Sequence, residues 1–171
     1  MPSSTVVDLV TVTEALGATA CFTCTTQSRG DLAPRDRIFT TGRWTAAHAF
    51  DANLEGWVVL FPVRHVLALD ELDAAESGEL GPLLVELSRS LRTVVGCTKT
   101  YTLLLAEKEG FHHLHFHVVP RKGDLPMAFR GSRIFGLLGN PDLAVVAAER
   151  MDAISLALRA LVQAAVPHAS S

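Results

Sequence analysis

Four of the chain's seven histidines fall within six consecutive residues, 112–117. Successive side chains of a β-strand point to opposite faces, so a strand here would place His113, His115 and His117 on one face, backed by the apolar residues between them. Neutral imidazole carries one lone pair and one N–H, which suits nucleophilic attack, proton transfer or metal ligation. The spacing alone leaves open a solvated face, a metal site without catalysis and a catalytic centre.

The three cysteines are the other residues with evident chemistry. Cys21 and Cys24 are separated by two residues, whereas Cys97 follows a helical pattern and is predicted to pack in the core. One Cys-x-x-Cys and a single further cysteine fit a reducing compartment better than a disulfide framework. We therefore expect a cytoplasmic protein.

Length and composition limit the class of protein. The 171 residues suit one domain with a sizeable core, and the hydrophobic content of 49% argues against disorder. Lys and Arg total 15 against 18 Asp and Glu, without a basic block, which argues against a nucleic-acid polymer as partner but not against a small phosphorylated ligand. No apolar run reaches the roughly 18 residues that span a bilayer, and the first residues lack a secretory pattern, so we expect neither membrane insertion nor export.

The order of the predicted elements indicates an α+β fold. Asp73, with Glu76 three residues later, has the pattern of a helix N-cap; leucines then recur at helical spacing, and Gly96 predicts the end of the helix. Pro82 inside this pattern predicts a kink or a later start. We expect an antiparallel sheet of about five strands with this long helix packed on it and a C-terminal helix. The predicted strands cover residues 37–40, 43–50, 56–61, 99–106 and 113–119, and the predicted C-terminal helix covers 142–165.

The chain divides into a core and two attached ends. Residues 1–20 are weakly patterned and predict a loosely attached extension. Residues 21–122 carry the predicted strands and the long helix. Residues 123–171 are predicted to form a long ordered loop and a helix that pack on the same domain.

The pattern His-φ-His-φ-His-φ-φ, in which φ is apolar, covers residues 113–119 without a mismatch and resembles the signature of the histidine triad (HIT) family. The similarity extends from Cys21 to Arg121, through the Cys-x-x-Cys, a hairpin, the Pro-x-x-His of residues 62–65, the long helix and two strands. Residues 124–139 resemble the extension of a bacterial, actinobacterial-like subgroup. The resemblance implies a HIT-like fold, usually a homodimer, acting on the α-phosphorus of a nucleotide such as a dinucleoside polyphosphate or a nucleoside phosphoramidate.

The resemblance also implies a role for each histidine. By motif position, His115 is the nucleophile that forms a nucleotidyl-histidine intermediate, and His117 binds the phosphate or protonates the leaving group. His113 completes the catalytic triad, and its counterpart in zinc-bearing members of the family is also a metal ligand. The implied structural zinc site consists of four residues that suit closed tetrahedral coordination: Cys21, Cys24, His65 and His113.

Departures from the family pattern concern the substrate-binding residues. An acidic residue often follows the histidine at the position of His48 and holds the ribose, but here Ala49 follows it and Asp51 lies two further on. Trp57 opens the buried strand where some members have histidine. We expect His48, Asp51, Trp57 and Arg121 to contact the substrate, Arg121 as an electrostatic helper.

These departures leave three functions open. The first is a nucleotidyl hydrolase or transferase that acts through His115. The second is an enzyme of this fold with a specialised biosynthetic substrate, an alternative that Glu107 and Glu109 in the turn before the histidines also favour, because carboxylates repel a phosphate. The third is a binding protein without catalytic activity that zinc holds together.

Overall fold

A five-stranded antiparallel sheet organises the fold, with its strands in the order β1-β2-β3-β5-β4. The structure is a computed structural model that describes residues 21–166, so the predicted extension 1–20 and residues 167–171 lie outside the described residues. The α+β class and the antiparallel sheet of five strands are confirmed. The strands are β1 (Phe39–Thr40), β2 (Trp44–His48), β3 (Val58–Pro62), β4 (Lys99–Leu104) and β5 (Phe116–Arg121).

Two long helices cover one face of the sheet. The α-helices of the described chain are α1 (Phe22–Gln27), α2 (Ala74–Val95) and α3 (Ala148–Ala165). Short 3-10 helices occupy Leu69–Glu71, Met127–Phe129 and Gly131–Leu137. Among residues 21–166, no helix combines the length and the apolar character that crossing a membrane requires.

Helix α2 begins and ends where its sequence predicts. The carboxylate of Asp73 accepts the backbone N–H groups of Ala75 and Glu76 at 2.8 and 2.7 Å, and the Glu76 carboxylate accepts the Asp73 N–H at 2.9 Å, which completes a capping box. Gly96 ends the helix at φ 68°, a left-handed conformation that glycine adopts without a steric penalty. The helix runs through Pro82 without a break, which excludes the alternative of a later start.

The larger core lies between one face of the sheet and the two long helices. Apolar residues three or four apart share one face of a helix, so α2 and α3 each present a continuous apolar stripe. Alternate residues of the strands meet these stripes. The buried side chains include Leu83, Leu87 and Leu91 from α2, Ile154, Leu158 and Val162 from α3, and Val58, Leu60, Phe116 and Val118 from the sheet.

A smaller core covers part of the opposite face of the sheet. The segment after β5 folds back through its 3-10 helices and buries Ile134 in one cluster with Trp57 and Val119. Arg130 holds this segment by donating from Nε to the carbonyl of Leu125 at 2.9 Å. The segment is therefore an ordered covering of the sheet, and it forms one wall of a cavity beside the histidines.

The histidine strand begins later than its alternation predicts. Strand β5 starts at Phe116, so His113 and His115 lie in the loop segment before it. There the Leu114 N–H donates to the carbonyl of Val66 at 2.8 Å, which is a loop contact and not part of the sheet. The three imidazoles consequently do not form one row on a strand, because only His117 belongs to the sheet.

Helix α3 begins at Ala148 and not at residue 142, where the helical periodicity starts. The Val146 N–H donates to the carbonyl of Ala52 at 2.9 Å, and Asn53 donates from Nδ2 to the carbonyl of Leu143 at 3.0 Å. These bonds tie the segment before the helix to the loop between β2 and β3. The backbone groups of that segment are used for anchoring, so helix formation starts after it.

Truncation of one core leucine tests this packing. Leu87 is fully buried in the larger core, so Leu87→Ala should lower the free energy of unfolding by about 2–5 kcal/mol in denaturant titrations. Val85 lies on the same helix but is 48% exposed, and Val85→Ala should change the free energy by less than about 0.5 kcal/mol. Equal losses for the two variants would contradict the assigned orientation of α2.

Candidate active site and metal centre

Two imidazoles meet where β5 begins. His117 projects from the sheet face opposite the long helices, between Val59 of β3 and Leu103 of β4. His115 lies just before the strand, and its Nε2 is 3.1 Å from Nε2 of His117. The indole Nε1–H of Trp57 donates to the other nitrogen of His117, Nδ1, at 3.0 Å. His117 is therefore held from two sides.

The donors and acceptors around the two rings assign the tautomer of each. An indole N–H can only donate, so Nδ1 of His117 carries the lone pair and Nε2 of the neutral ring carries the hydrogen. A carbonyl can only accept, so Nδ1 of His115, which is 2.8 Å from the carbonyl oxygen of His113, carries the hydrogen. The Nε2–H of His117 then donates to the lone pair on Nε2 of His115. All four ring nitrogens are satisfied with both rings neutral.

The surroundings keep both rings uncharged. Burial, with a smaller contribution from the neighbouring His115, lowers the pKa of His117 from 6.5 to about 3. Burial also lowers the pKa of His115, although its hydrogen bond to the His113 carbonyl acts in the opposite direction. A neutral imidazole with a lone pair on Nε2 can act as a nucleophile, and the lowered pKa favours this form of His115 at neutral pH.

A cavity of about 440 Å³ opens beside the pair, a size typical of sites for small molecules. His115 and His117 both line it. Most of its wall is apolar, and three phenylalanine rings contact one another at centroid distances of 5.3, 4.9 and 5.7 Å. Such a wall can hold a flat ring next to the reactive nitrogen. The lining residues include Phe22, Phe50, Phe111, Phe61, Phe135, Leu138, Asp36, Asp51, Glu107 and Lys108.

The cavity receives two of the four residues that the sequence predicts as substrate ligands. Asp51 and His48 both line it. Both ring nitrogens of His48 are used by the backbone, however, because the Gly56 N–H donates to Nε2 at 3.0 Å and Nδ1 is 2.9 Å from the Ala49 carbonyl. His48 therefore offers a ligand its ring carbons and no free donor or acceptor. Its contact with a substrate stays a prediction, as does that of Asp51.

The other two predicted ligands lie away from the cavity. Trp57 is fully buried behind His117 and does not line the cavity. Arg121 ends β5, about 13 Å along the strand from His117. There its Nη1 donates to Oγ1 of Thr98 at 2.9 Å. Trp57 thus contacts the reactive pair, His115 and His117, through its hydrogen bond to His117. Arg121 is instead bonded to a loop residue, Thr98.

The predicted metal ligands converge at a second group beside the first. Nδ1 of His113 is 3.7 Å from Sγ of Cys21 and 3.4 Å from Sγ of Cys24, and Nδ1 of His65 is 3.3 Å from Sγ of Cys24. The ligand atoms of all four residues lie within 4.8 Å of one another. Sulfur and nitrogen that share a tetrahedral zinc ion are about 3.5 Å apart, since Zn–S is about 2.3 Å and Zn–N about 2.0 Å. The group can therefore hold a metal ion, and its donors suit zinc.

The protonation of His113 fits ligation through Nδ1. Its Nε2 is 2.9 Å from the carbonyl oxygen of Pro62, so Nε2 carries the hydrogen and the lone pair on Nδ1 faces the cysteines. Burial lowers the pKa of this ring to about 4, which keeps it neutral. Burial, followed by the neighbouring Cys21, raises the pKa of the Cys24 thiol to about 12, and a cation between the sulfurs would oppose both effects by stabilising the thiolates.

His113 joins the two groups without lining the cavity. Its side chain is buried with only 2% exposed, and its ring faces the cysteines. Its backbone carbonyl, in contrast, accepts the Nδ1–H of His115. The catalytic role of His113 stays a prediction. In this geometry His113 can act on His115 through its backbone carbonyl, whereas its ring does not line the cavity.

None of the three phenylalanines of the aromatic wall, Phe22, Phe50 and Phe111, was predicted from the sequence. Phe22 lies between the two cysteines, and this location was a signal that sequence reasoning could have used. Phe111 carried no comparable signal, because it precedes the histidines in a turn. Nζ of Lys108 lies 5.1 Å from the centroid of the Phe111 ring, which places a cation beside the aromatic wall.

A family model for the HIT domain matches residues 32–124, more than half of the chain. The matched range contains the reactive pair, His65 and His113, and it begins after Cys24. The chain therefore belongs to the histidine triad family. No curated protein sequence matches the chain significantly.

Solved structures share the fold. A Zn-bound histidine triad family protein from Mycobacterium smegmatis is 16% identical over 86% of this chain and 99% of that chain, with a TM-score of 0.63. A hypothetical histidine triad nucleotide-binding protein from Sulfolobus tokodaii is 19% identical over 84% and 93%, also with a TM-score of 0.63. A histidine triad protein from Bradyrhizobium japonicum is 23% identical over 74% and 89%, with a TM-score of 0.60. The expected HIT-like fold is thus confirmed.

Metal content tests the second group. Because Sγ of Cys24 lies within 3.4 Å of Nδ1 of both histidines, Cys24→Ser should lower the affinity for zinc by at least about tenfold, measured by competition with a chromogenic chelator. Cys97 is a buried cysteine outside the group, so Cys97→Ser should keep the affinity of the wild type. Unchanged affinity in Cys24→Ser would contradict this ligand set.

The buried state of His117 predicts a pH-dependent stability. Its folded pKa of about 3 lies below the ordinary value of 6.5, so between these values the unfolded chain binds a proton that the folded chain does not, and the free energy of unfolding falls as the pH falls. His117→Gln should remove that part of the decline, on the order of 3 kcal/mol between about pH 6.5 and about pH 4. The measurement is urea unfolding at constant zinc concentration, with the exposed His112→Gln as a control that keeps the decline. The same decline in wild type and His117→Gln would contradict the prediction.

Proposed function

We propose that this protein is a nucleotidyl hydrolase or transferase that attacks the α-phosphorus of a nucleotide through His115. One observation carries the proposal: a neutral His115 with its lone pair on Nε2, beside the Nε2–H of His117, on the wall of a ligand-sized cavity. The HIT family includes hydrolases and transferases, and the fact that this chain belongs to the family supports the choice of chemistry. The Sulfolobus tokodaii protein is described as nucleotide-binding, which supports the class of substrate.

The first half-reaction uses the pair in sequence. Without a ligand, the Nε2–H of His117 is bonded to the lone pair of His115. A phosphoryl oxygen is charged and therefore a stronger acceptor than an imidazole nitrogen, so a bound phosphate takes this hydrogen bond and frees the lone pair. Nε2 of His115 then forms a bond to phosphorus, while the bond from phosphorus to the leaving group breaks and its electron pair departs with the leaving group.

The carbonyl of His113 supports the charge that this step creates. The imidazole ring that carries the nucleotidyl group is a cation, and its Nδ1–H stays bonded to the carbonyl oxygen of His113, 2.8 Å away in the free protein. In the second half-reaction an acceptor oxygen attacks phosphorus and the electron pair of the N–P bond returns to Nε2. Water as acceptor releases one proton to solvent and makes the enzyme a hydrolase, whereas another hydroxyl makes it a transferase.

The rest of the cavity suits a nucleotide. The phenylalanine cluster of Phe22, Phe50 and Phe111 provides a stacking surface for a base. Lys108 supplies a positive charge for phosphate, and Asp51 supplies a carboxylate for ribose hydroxyls.

We infer that the metal is Zn²⁺ and that its role is structural. Two thiolates and two imidazoles close a tetrahedral site and leave no position for substrate. The Mycobacterium smegmatis protein is Zn-bound, which supports the identity of the ion. Zinc there would fix both Phe22 and His113. The homodimer and the cytoplasmic location stay predictions.

A second candidate keeps the chemistry and changes the substrate to one that is not an ordinary nucleotide. The ring nitrogens of His48 are occupied by the backbone, and Ala49 is apolar and buried, so this corner of the cavity lacks the usual polar contacts for ribose. Adenine and guanine nucleotides that neither bind nor form a covalent adduct would favour this candidate over the first.

The covalent intermediate tests the proposal directly. Wild-type protein incubated with diadenosine triphosphate and quenched in denaturant should carry an adenylyl group on His115, detected by mass spectrometry of its peptides. His115→Ala should abolish the adduct and lower turnover by at least about a thousandfold, since the nucleophile is lost.

His112→Ala is the matched control, because His112 is an exposed histidine of the same segment. It should keep both the adduct and the turnover. Turnover of His115→Ala at the rate of the wild type, or an adduct on another histidine, would remove His115 from its role.

A further inference from the structure

The indole of Trp57 sets which hydrogen bonds His117 can make. We propose that Trp57 is a positioning residue that restricts His117 to donating a hydrogen bond, so that the site acts on substrates whose leaving group departs without a proton. A phosphate of a polyphosphate chain is such a leaving group, whereas the amine of a phosphoramidate is not. This inference rests on the proposed function and separates the two substrate classes that the sequence leaves together.

The restriction on His117 comes from the indole N–H of Trp57, a group that can donate a hydrogen bond but cannot accept one. Indole nitrogen has no lone pair available for a proton, so Trp57 can only donate, and its Nε1–H points at Nδ1 of His117 at 3.0 Å. Trp57 is fully buried, and its ring contacts both His117 and Phe135 at centroid distances of 5.8 and 5.6 Å. The indole cannot turn its N–H toward water without disturbing this cluster.

A general acid must carry a proton that it can lose, and for an imidazole this means the cation. The cation of His117 would need a hydrogen on Nδ1, which would face the N–H of Trp57. In the described structure, the hydrogen-bond partners of the His117 ring are Trp57 and His115, so no carboxylate is bonded to the ring where it could stabilise such a cation. Burial of the ring also opposes the charge. His117 is thereby left as a neutral donor at Nε2.

A neutral donor helps some leaving groups and not others. The Nε2–H of His117 can stabilise an anionic phosphate oxygen as the P–O bond breaks, and that phosphate leaves with its electron pair as a stable anion. An amine that leaves when a P–N bond breaks must take up a proton, because the amide anion is too strong a base. Neutral imidazole cannot supply this proton without becoming an anion itself. The chain therefore favours phosphoanhydrides over phosphoramidates.

The tautomer can be measured without any substrate. In ¹⁵N-labelled wild-type protein, long-range ¹H–¹⁵N spectra of the imidazole rings should show His117 with an unprotonated Nδ1 and a protonated Nε2, with the signals assigned by their loss in His117→Gln. A hydrogen on Nδ1 of His117 would overturn the inference. This readout does not depend on the proposed function.

The rate comparison tests the consequence. In wild-type protein, kcat for an adenosine 5′-(N-alkylphosphoramidate) should be at least about a hundredfold lower than kcat for diadenosine triphosphate, because general acid catalysis contributes about a hundredfold or more. Trp57→Phe keeps an aromatic ring in the cluster but removes the donor, so the ratio of the two rates should move toward the phosphoramidate by at least about tenfold. A phosphoramidate rate equal to the anhydride rate in wild type, or a ratio unchanged in folded Trp57→Phe, would overturn the inference.

Trp44 provides the matched control. It is also fully buried and also donates through its indole, to the carbonyl of Glu76 at 3.0 Å, away from the reactive pair. Trp44→Phe should leave the ratio of the two rates as in wild type, and an equal shift would attribute the effect to general loosening and overturn the inference.

If no substrate forms an adduct on His115, the proposed function fails, while the tautomer is still read from the spectra. If the adduct forms and phosphoramidates react as fast as anhydrides, the leaving-group inference alone fails.

Discussion

A directed series of hydrogen bonds gives the site its chemical character. It begins at a group that can only donate, the indole of Trp57, and ends at one that can only accept, the carbonyl of His113. Between these ends the two imidazoles have no freedom of tautomer, because each hydrogen is committed in one direction. Burial strengthens such a series and penalises any reversal, since an unpaired polar group in a low dielectric is unfavourable. The position of the lone pair on His115, the proposed nucleophile, is thus set by the partners of the two rings.

The metal group matters to this series through His113. The ring of His113 faces Cys21 and Cys24, while its carbonyl orients His115. Helix α1, which carries Phe22 and Cys24 and follows directly on Cys21, has six residues and is far too short to be stable without tertiary contacts. A cation bound here would therefore hold the helix, one part of the aromatic wall and the orientation of His115 at the same time. Structural and reactive parts of the molecule meet in one residue.

Helix α2 and the capping of its ends could be predicted from the sequence because the interactions are local: Asp73 and Glu76 bond to backbone groups within three residues of themselves. The α+β class could also be predicted from local information, because the periodicity of apolar residues shows which face of each element is buried. The alternation of the histidines predicted one row of imidazoles on a strand, and this geometry is wrong. The Leu114 N–H donates to the carbonyl of Val66 and the strand begins only at Phe116, and no pattern within the segment could indicate a bond to that distant loop.

What the sequence by itself determined is the inventory: three histidines at alternate positions, a Cys-x-x-Cys, a capped helix and a tryptophan at a position where some family members have histidine. Only the tertiary structure decided how that inventory is divided, with His113 turned to the cysteines, His115 and His117 turned to the cavity, and His48 bound to the backbone. It also decided which nitrogen of each ring bears the hydrogen. The physical reason is that a hydrogen bond takes its direction from its partner, and Trp57 lies 60 residues away from His117 along the chain.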